Sequence, residues 1–247
     1  GALQGALPLR AVFEAPTVAG LAGKVEEARA AGGRRAPPLE RVERTGEPAS
    51  SYAQQRLWLL DQLVPGSARY NIPTALRLQG KLDVEGLGRS LDELVRRHEV
   101  LRTTFASAGG RPVQVVAPEL RVELPVVDLV GLEGGEREAR VEELAREQGR
   151  EPFDLGRGPV VRAALLRLGE EEHVLLLTVH HVACDGESVA VLVRGLGARY
   201  GAFREGKPSP LAELPVQYAD FAAWQRGWLQ GEVLAEEVAY WKEKLAG

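Results

Sequence analysis

The sequence predicts an α/β fold, with helices packed on a mixed, mostly antiparallel sheet. Three observations carry this reading. Apolar residues recur at helical spacing around residues 51–63, 84–98 and 187–203, each stretch with one greasy face. Two apolar runs of strand length, Val160 to Leu168 and Val174 to His180, are joined across Gly169-Glu170-Glu171-Glu172, a link short enough to make them antiparallel neighbours. Glycine and proline punctuate the chain between these runs.

With 247 residues the chain has room for one large domain or two small ones. It is 45% hydrophobic and 27% charged, the balance of an ordinary globular protein. A net charge of −4 argues against a nucleic-acid footprint, which needs a basic surface. No apolar run approaches the roughly 20 residues that span a bilayer, so no membrane role is expected. The start, Gly1-Ala2-Leu3-Gln4, lacks the basic and apolar regions of a signal peptide. The single cysteine, Cys184, excludes an internal disulfide and fits a reducing cytoplasm. The sequence contains no methionine, which fits a piece of a larger polypeptide.

Each element has its local reason. Thr17 caps a short helical stripe of Val18, Leu21, Ala22 and Val25. Residues 29–49, with Gly32-Gly33, Arg34-Arg35 and Pro37-Pro38, lack any period and read as a linker. Ser51 and Gln54 fit a capping box, opening a helix whose apolar face carries Leu57, Leu60 and Leu63. A loop through Pro65-Gly66 leads to a strand at Ala75 to Leu78. Asp83 caps the next helix, which runs to His98 and lines one face with Leu87, Leu91, Leu94 and Val95. His98 falls at a helix C-terminus, where positive charge is favoured. Gly109-Gly110 turns the chain into a strand at 112–116. Residues 131–149, rich in Glu and Arg, form a helix with a solvated face. Tyr218, Phe221 and Trp224 share one helical face, for which packing is a sufficient role, and a last helix covers 232–245.

The candidate site is the polar end of the most apolar run. Leu175 to Val179 ends in His180-His181, and three residues later comes Asp185-Gly186. Burying such groups unpaired is costly. Successive side chains on a strand point to opposite faces, so one histidine works while the other packs or hydrogen-bonds. Gly186 permits a sharp turn, and Asp185 either holds that turn or pairs with an arginine elsewhere. Cys184 is set aside as a nucleophile, because adjacency to His181 in sequence is not triad geometry. Ser188 reads as a helix cap. A metal site from His173, His180, His181 and Asp185 lacks a standard ligand spacing and needs both strand faces.

His180-His181-Val182-Ala183-Cys184-Asp185-Gly186 reads HHxxxDG, which resembles the core motif of the condensation domains of nonribosomal peptide synthetases, in the superfamily of chloramphenicol acetyltransferase. Three further stretches resemble other motifs of that family: Ser51-Tyr52-Ala53-Gln54-Gln55-Arg56-Leu57-Trp58, Arg97-His98-Glu99-Val100-Leu101-Arg102-Thr103-Thr104-Phe105 and Tyr218-Ala219-Asp220-Phe221-Ala222-Ala223-Trp224. Leu9 to Ala22 resembles the last helix of a peptidyl carrier domain. The resemblance implies a carrier helix at 1–28, a linker at 29–49, and at 50–247 the N-terminal lobe of a two-lobe domain, a chloramphenicol acetyltransferase-like two-layer sandwich. One lobe alone is expected to be inactive.

The implied reaction is amide-bond formation between carrier-bound aminoacyl or peptidyl thioesters. The substrates ride on 4′-phosphopantetheine of partner carrier domains upstream and downstream, with an adenylation domain in the same polypeptide and no cofactor bound directly. His181 is implied as general base or amine-positioning residue; an ordinary imidazole, with a pKa of about 6.5, can accept a proton near neutral pH. The turn at Gly186 offers a backbone N–H to the negative oxygen of the attack. His180 is implied to hold structure. Asp185 is implied to orient, through an ion pair with Arg97 or Arg102, of which the resemblance favours Arg102. Glu187 departs from the bulky aromatic that many relatives carry there. An epimerisation domain shares HHxxxDG, and a non-catalytic lobe that binds carriers is the reading from another class.

Overall fold

The structure, a computed structural model, describes residues 11, 14–30, 36–44 and 46–246. It forms two units, Gly1–Pro38 and Leu39–Gly247. In the first unit helix α1 spans Val18–Ala30, and Thr17 caps it by accepting the Gly20 N–H at 3.1 Å. Most of the expected carrier stretch before Thr17, and the glycine–arginine part of the expected linker, lie outside the described residues.

The second unit runs α2 (Tyr52–Leu63), β1 (Asn71–Gln79), α3 (Val84–Arg97), a 3-10 turn (Glu99–Arg102), β2 (Thr103–Ala108), β3 (Arg111–Val116), β4 (Val126–Asp128), α4 (Gly134–Arg150), β5 (Val161–Arg167), β6 (Glu172–His180), α5 (Gly186–Arg204), α6 (Tyr218–Trp228) and α7 (Gly231–Leu245). The capping box at Ser51 and Gln54 forms as its spacing requires. Asp83 accepts the Gly86 N–H at 2.9 Å and so starts α3.

The main sheet has strand order β1-β6-β5-β4, antiparallel except for β4 beside β5. β6 is central, and its residues from His173 to His180 are all buried. That is why it reads as a continuous apolar run rather than an alternating one. On one face, Leu87, Leu91 and Leu94 of α3 and Leu192 and Leu196 of α5 pack against Val161, Leu165, Leu175, Leu177 and Val179. On the other, Val141 of α4 packs with Leu166, Val174 and Leu176. Helices therefore cover both faces, and α4 adds a layer to the expected two-layer sandwich. Each fully buried leucine contributes roughly 1.5–3 kcal/mol.

Strands β2 and β3 form a separate antiparallel hairpin. Gly109 and Gly110 turn it at φ of 58° and 78°, a left-handed pair open to glycine at little cost. A third apolar cluster joins Leu57 of α2, Phe105 of β2, Phe153, Leu155, Val160 and Val182. It lies directly under the turn that follows β6.

Residues 39–49, counted with the linker from sequence, dock on this unit. Val42 donates its N–H to Asp220 at 3.3 Å, Arg44 pairs with Glu99 and Asp220, and Ala49 bridges to Val113 of β3. Backbone donors that find fixed acceptors hold a segment with no period of its own.

Candidate functional site

The two histidines end up in different surroundings, as strand alternation requires. His180 closes β6, is 3% exposed, and bonds its N–H to Val160 O at 2.9 Å. Its Nδ1 accepts the Val182 N–H at 3.1 Å, and Tyr70 and Phe153 meet its ring edge-on at 6.3 and 6.0 Å. Burial pushes its pKa down to about 4, so the ring is neutral. His181 begins the turn and is exposed. Its N–H donates to Tyr70 O at 2.7 Å, which locks the backbone of the turn onto the start of β1.

The imidazole of His181 lines a cavity of ≈ 500 Å³. All four motifs reach this cavity: Arg56 and Leu57 from the first, His98 and Leu101 from the second, His181 and Asp185 from the third, Tyr218 and Phe221 from the fourth. The remaining wall is mainly apolar, with Leu39, Val191, Leu192, Leu214 and Val216. The first and fourth motifs clasp each other. Ser51 Oγ and Tyr218 OH are 3.1 Å apart, and Gln225 Oε1 accepts the Tyr52 N–H at 3.0 Å.

The expected ion pair between Arg102 and Asp185 does not form among the described residues, and Arg97 does not replace Arg102. Asp185 is the N-cap of α5, accepting the Ser188 N–H at 2.8 Å and, on the same oxygen, the Ser188 hydroxyl. These bonds hold its carboxyl below the usual range. Ser188 is thus the residue capped, not the cap. Arg102 donates to Ala117 O and lies 3.8 Å from Glu99, and Arg97 donates to Ala212 O at 2.7 and 3.0 Å. A carboxylate already satisfied by a helix N-terminus needs no distant cation. Gly186 opens α5 and does not line the cavity, and its N–H has no acceptor among the described residues.

His98 is likewise corrected. Burial and the neighbouring Arg97 and Arg199 push it down to about 4, so it carries no charge for the helix dipole. Cys184 is buried, and its thiol is pushed up to about 11, which removes it as a nucleophile near neutral pH. Among the described residues no group of three His, Cys, Asp or Glu is placed to hold a metal ion.

One residue to which the sequence reading gave no role organises the wall. Asp220 is fully buried and accepts from Gln217 N–H at 2.7 Å, Val42 N–H at 3.3 Å and Arg44 Nη2 at 3.3 Å. Gln217 in turn donates to Arg97 O at 3.0 Å and accepts the Glu99 N–H at 3.2 Å. The spacing of Gln217 and Asp220 was the available signal, a capping pair at the start of α6.

The family model for the condensation domain matches residues 45–247. A linear gramicidin synthase of Brevibacillus parabrevis is 48% identical over 97% of this chain, which spans 3% of that synthase. Phosphinothricin tripeptide synthetase PhsC of Streptomyces viridochromogenes is 44% identical over 80% of the chain and 18% of its own length. Among solved structures, the X-domain from teicoplanin biosynthesis superposes with a TM-score of 0.75 at 34% identity, over 84% of this chain and 45% of that one. The first condensation domain of the CDA synthetase gives 0.72 at 26% identity, over 82% and 50%. The chain therefore spans about half of the solved domains and a small part of the synthetases. A buried-strand HHxxxDG turn, four motifs around one cavity and a matching family model place this chain in the condensation domain family of nonribosomal peptide synthetases.

Proposed function

We propose that this chain is the N-terminal lobe of a condensation domain that forms an amide bond between carrier-bound acyl groups, with His181 acting on the attacking amine. The observation that supports this reading is the division of labour at the end of β6. His180 spends its Nδ1 on Val182, while His181 faces the cavity lined by every motif.

The amine nitrogen of a downstream aminoacyl thioester attacks the carbonyl carbon of an upstream thioester. A C–N bond forms, the C–S bond breaks, and the amine's proton passes to the departing thiol. His181 accepts that proton or fixes the amine for attack. The N–H groups of Gly186 and Glu187 at the start of α5 have no acceptors among the described residues, but neither residue lines the cavity, so the donor to the negative oxygen is left to other groups. The mainly apolar wall, with Leu39, Val191, Leu192, Leu214 and Val216, suits an acyl chain beside the thioester. The substrates arrive on 4′-phosphopantetheine arms of upstream and downstream carrier domains, loaded by an adenylation domain of the same polypeptide. Residues 1–28 are the end of the upstream carrier. A single buried thiol suits work in the cytoplasm, and among the described residues no helix is long and apolar enough to cross a membrane.

The likeness to the X-domain, a domain solved in complex with OxyB, supports a second reading, a lobe that only docks partners. One assay separates the two. Two loaded carriers are incubated with this chain carried to the full length of its family's domain, with and without His181→Ala. Catalysis predicts dipeptide from the unchanged protein and a loss of about 10²–10⁴-fold in the folded variant. Equal product from both rejects His181, and carrier binding without product from either supports docking.

A further inference from the structure

One histidine of the cavity takes no part in the condensation chemistry. His98 is the C-cap residue of α3 and lines the same ≈ 500 Å³ space as His181, on the wall where residues 212–217 cross the end of that helix. Its tautomer is fixed by a neighbour. Arg97 donates through Nε and Nη2 to Ala212 O at 3.0 and 2.7 Å, and so anchored it directs Nη1 to His98 Nε2 at 3.3 Å. A guanidinium only donates, so Nε2 is the acceptor and carries no proton. Burial, with Arg97 and Arg199 beside it, keeps the ring neutral, and a neutral ring then holds its one proton on Nδ1. That N–H has no partner among the described residues. Nor is it shut away from solvent, as the unpartnered Nδ1 of His173 is.

The polar side chains next to it are already committed. Gln217 donates to Arg97 O and accepts the Glu99 N–H, and Tyr218 OH is bonded with Ser51 Oγ. Around them the wall is apolar, with Leu192, Leu214 and Val216. A free N–H in such a wall discriminates. An oxygen that meets it gains a hydrogen bond, whereas an apolar group laid over it removes its water and returns nothing. The amine that His181 receives sits on the carbon that bears its own side chain, so that side chain shares the cavity. A volume of ≈ 500 Å³ is within the range of sites that enclose small ligands.

We propose that His98 selects the amino acid whose amine attacks: its Nδ1–H donates to a side-chain oxygen, so the cavity favours a carboxamide over an apolar side chain of the same shape. The assignment deepens the condensation reading and rests on it.

Asparagine and leucine have side chains of nearly equal shape and make the test. This chain, carried to the full length of its family's domain, is given one loaded donor carrier and acceptor carriers bearing either amino acid. The asparaginyl acceptor is expected to exceed the leucyl one in kcat/KM by about tenfold or more. Calorimetry with the asparaginyl and leucyl pantetheine analogues in which an amide replaces the thioester reads the same preference as a ratio of Kd, without any chemistry. His98→Leu abolishes the preference in both measurements. His98→Asn, whose amide nitrogen falls near the place of Nδ1, retains most of it. Circular dichroism checks that both variants are folded.

Equal binding of the two amides by the unchanged protein overturns the assignment, and that comparison does not depend on any variant folding. A preference that survives His98→Leu, or one lost equally in His98→Asn, also overturns it. The underlying reading fails separately: condensation that survives His181→Ala removes the role of His181, while a binding preference that depends on residue 98 still stands.

Discussion

The two sides of the strand end at His180 and His181 are different media built from adjacent residues. Behind the strand, His180 faces a cavity of ≈ 50 Å³ lined by Leu60, Asp61, Val64, Ser67, Arg69 and Tyr70. Burial there pushes both titratable neighbours toward neutrality, His180 down to about 4 and Asp61 upward. In front, His181 is exposed to a space about ten times larger. Tyr70 lines both cavities, edge-on to one ring and bonded through its carbonyl to the backbone of the other histidine. The back side supplies a neutral acceptor that shapes the turn. The front side leaves an exposed imidazole at the wall of the larger cavity. A strand has two faces one residue apart, so adjacent residues meet two different environments.

The sharpest contrast is functional. His181→Ala is expected to cost condensation about 10²–10⁴-fold and leave the melting temperature nearly unchanged. The companion His180→Ala is expected to destabilise by about 2–4 kcal/mol, through the cavity left and the stranded Val182 N–H. Thermal and denaturant unfolding of the two variants reads this directly. Equal destabilisation by both erases the distinction.

Acid sharpens it further. In the unfolded chain His98 and His180 take up protons near their ordinary value of about 6.5. Folded, both refuse them until about pH 4. The unfolded state therefore binds more protons between these values, and stability falls as pH drops through that window, at about 1.4 kcal/mol per pKa unit for each group. Above about pH 6.5 this contribution is complete. The unfolding midpoint is expected to decline from pH 6.5 to 4, with a shallower slope in His180→Gln. An identical slope in that variant contradicts the buried, neutral assignment.

The smallest effect concerns the turn. Asp185→Ala removes the cap of α5 and is expected to cost about 1 kcal/mol. Combined with Arg102→Ala, the losses should add to within about 0.5 kcal/mol, because the two residues share no contact among the described residues. A coupling well above 1 kcal/mol in that cycle, measured by denaturant unfolding, restores the ion pair.

Much of this is legible in the sequence. The capping box at Ser51, the cap at Asp83 and the stripe of Leu87, Leu91 and Leu94 are local, so their spacing alone announces α2 and α3. The uninterrupted run through Leu175, Leu176 and Leu177 announces a strand buried on both faces, and the HHxxxDG turn announces the site. Strand β2 and the longer span of β1 are harder, because Thr103 to Ala108 and Asn71 to Thr74 gain their identity from partners across the sheet.

What sequence alone determined are features whose partners lie within a turn of helix or one step of a strand: caps, amphipathic faces, and the opposed directions of His180 and His181. Tertiary structure decided the rest. It gave Asp185 to Ser188 rather than to Arg102, and it neutralised His98 by burying it, with Arg97 and Arg199 beside it. It also tied Arg44 to Asp220, 176 residues away. Such pairings depend on which segments the packed core brings side by side and on how much water remains between them. Neither quantity is carried by any single stretch of the chain.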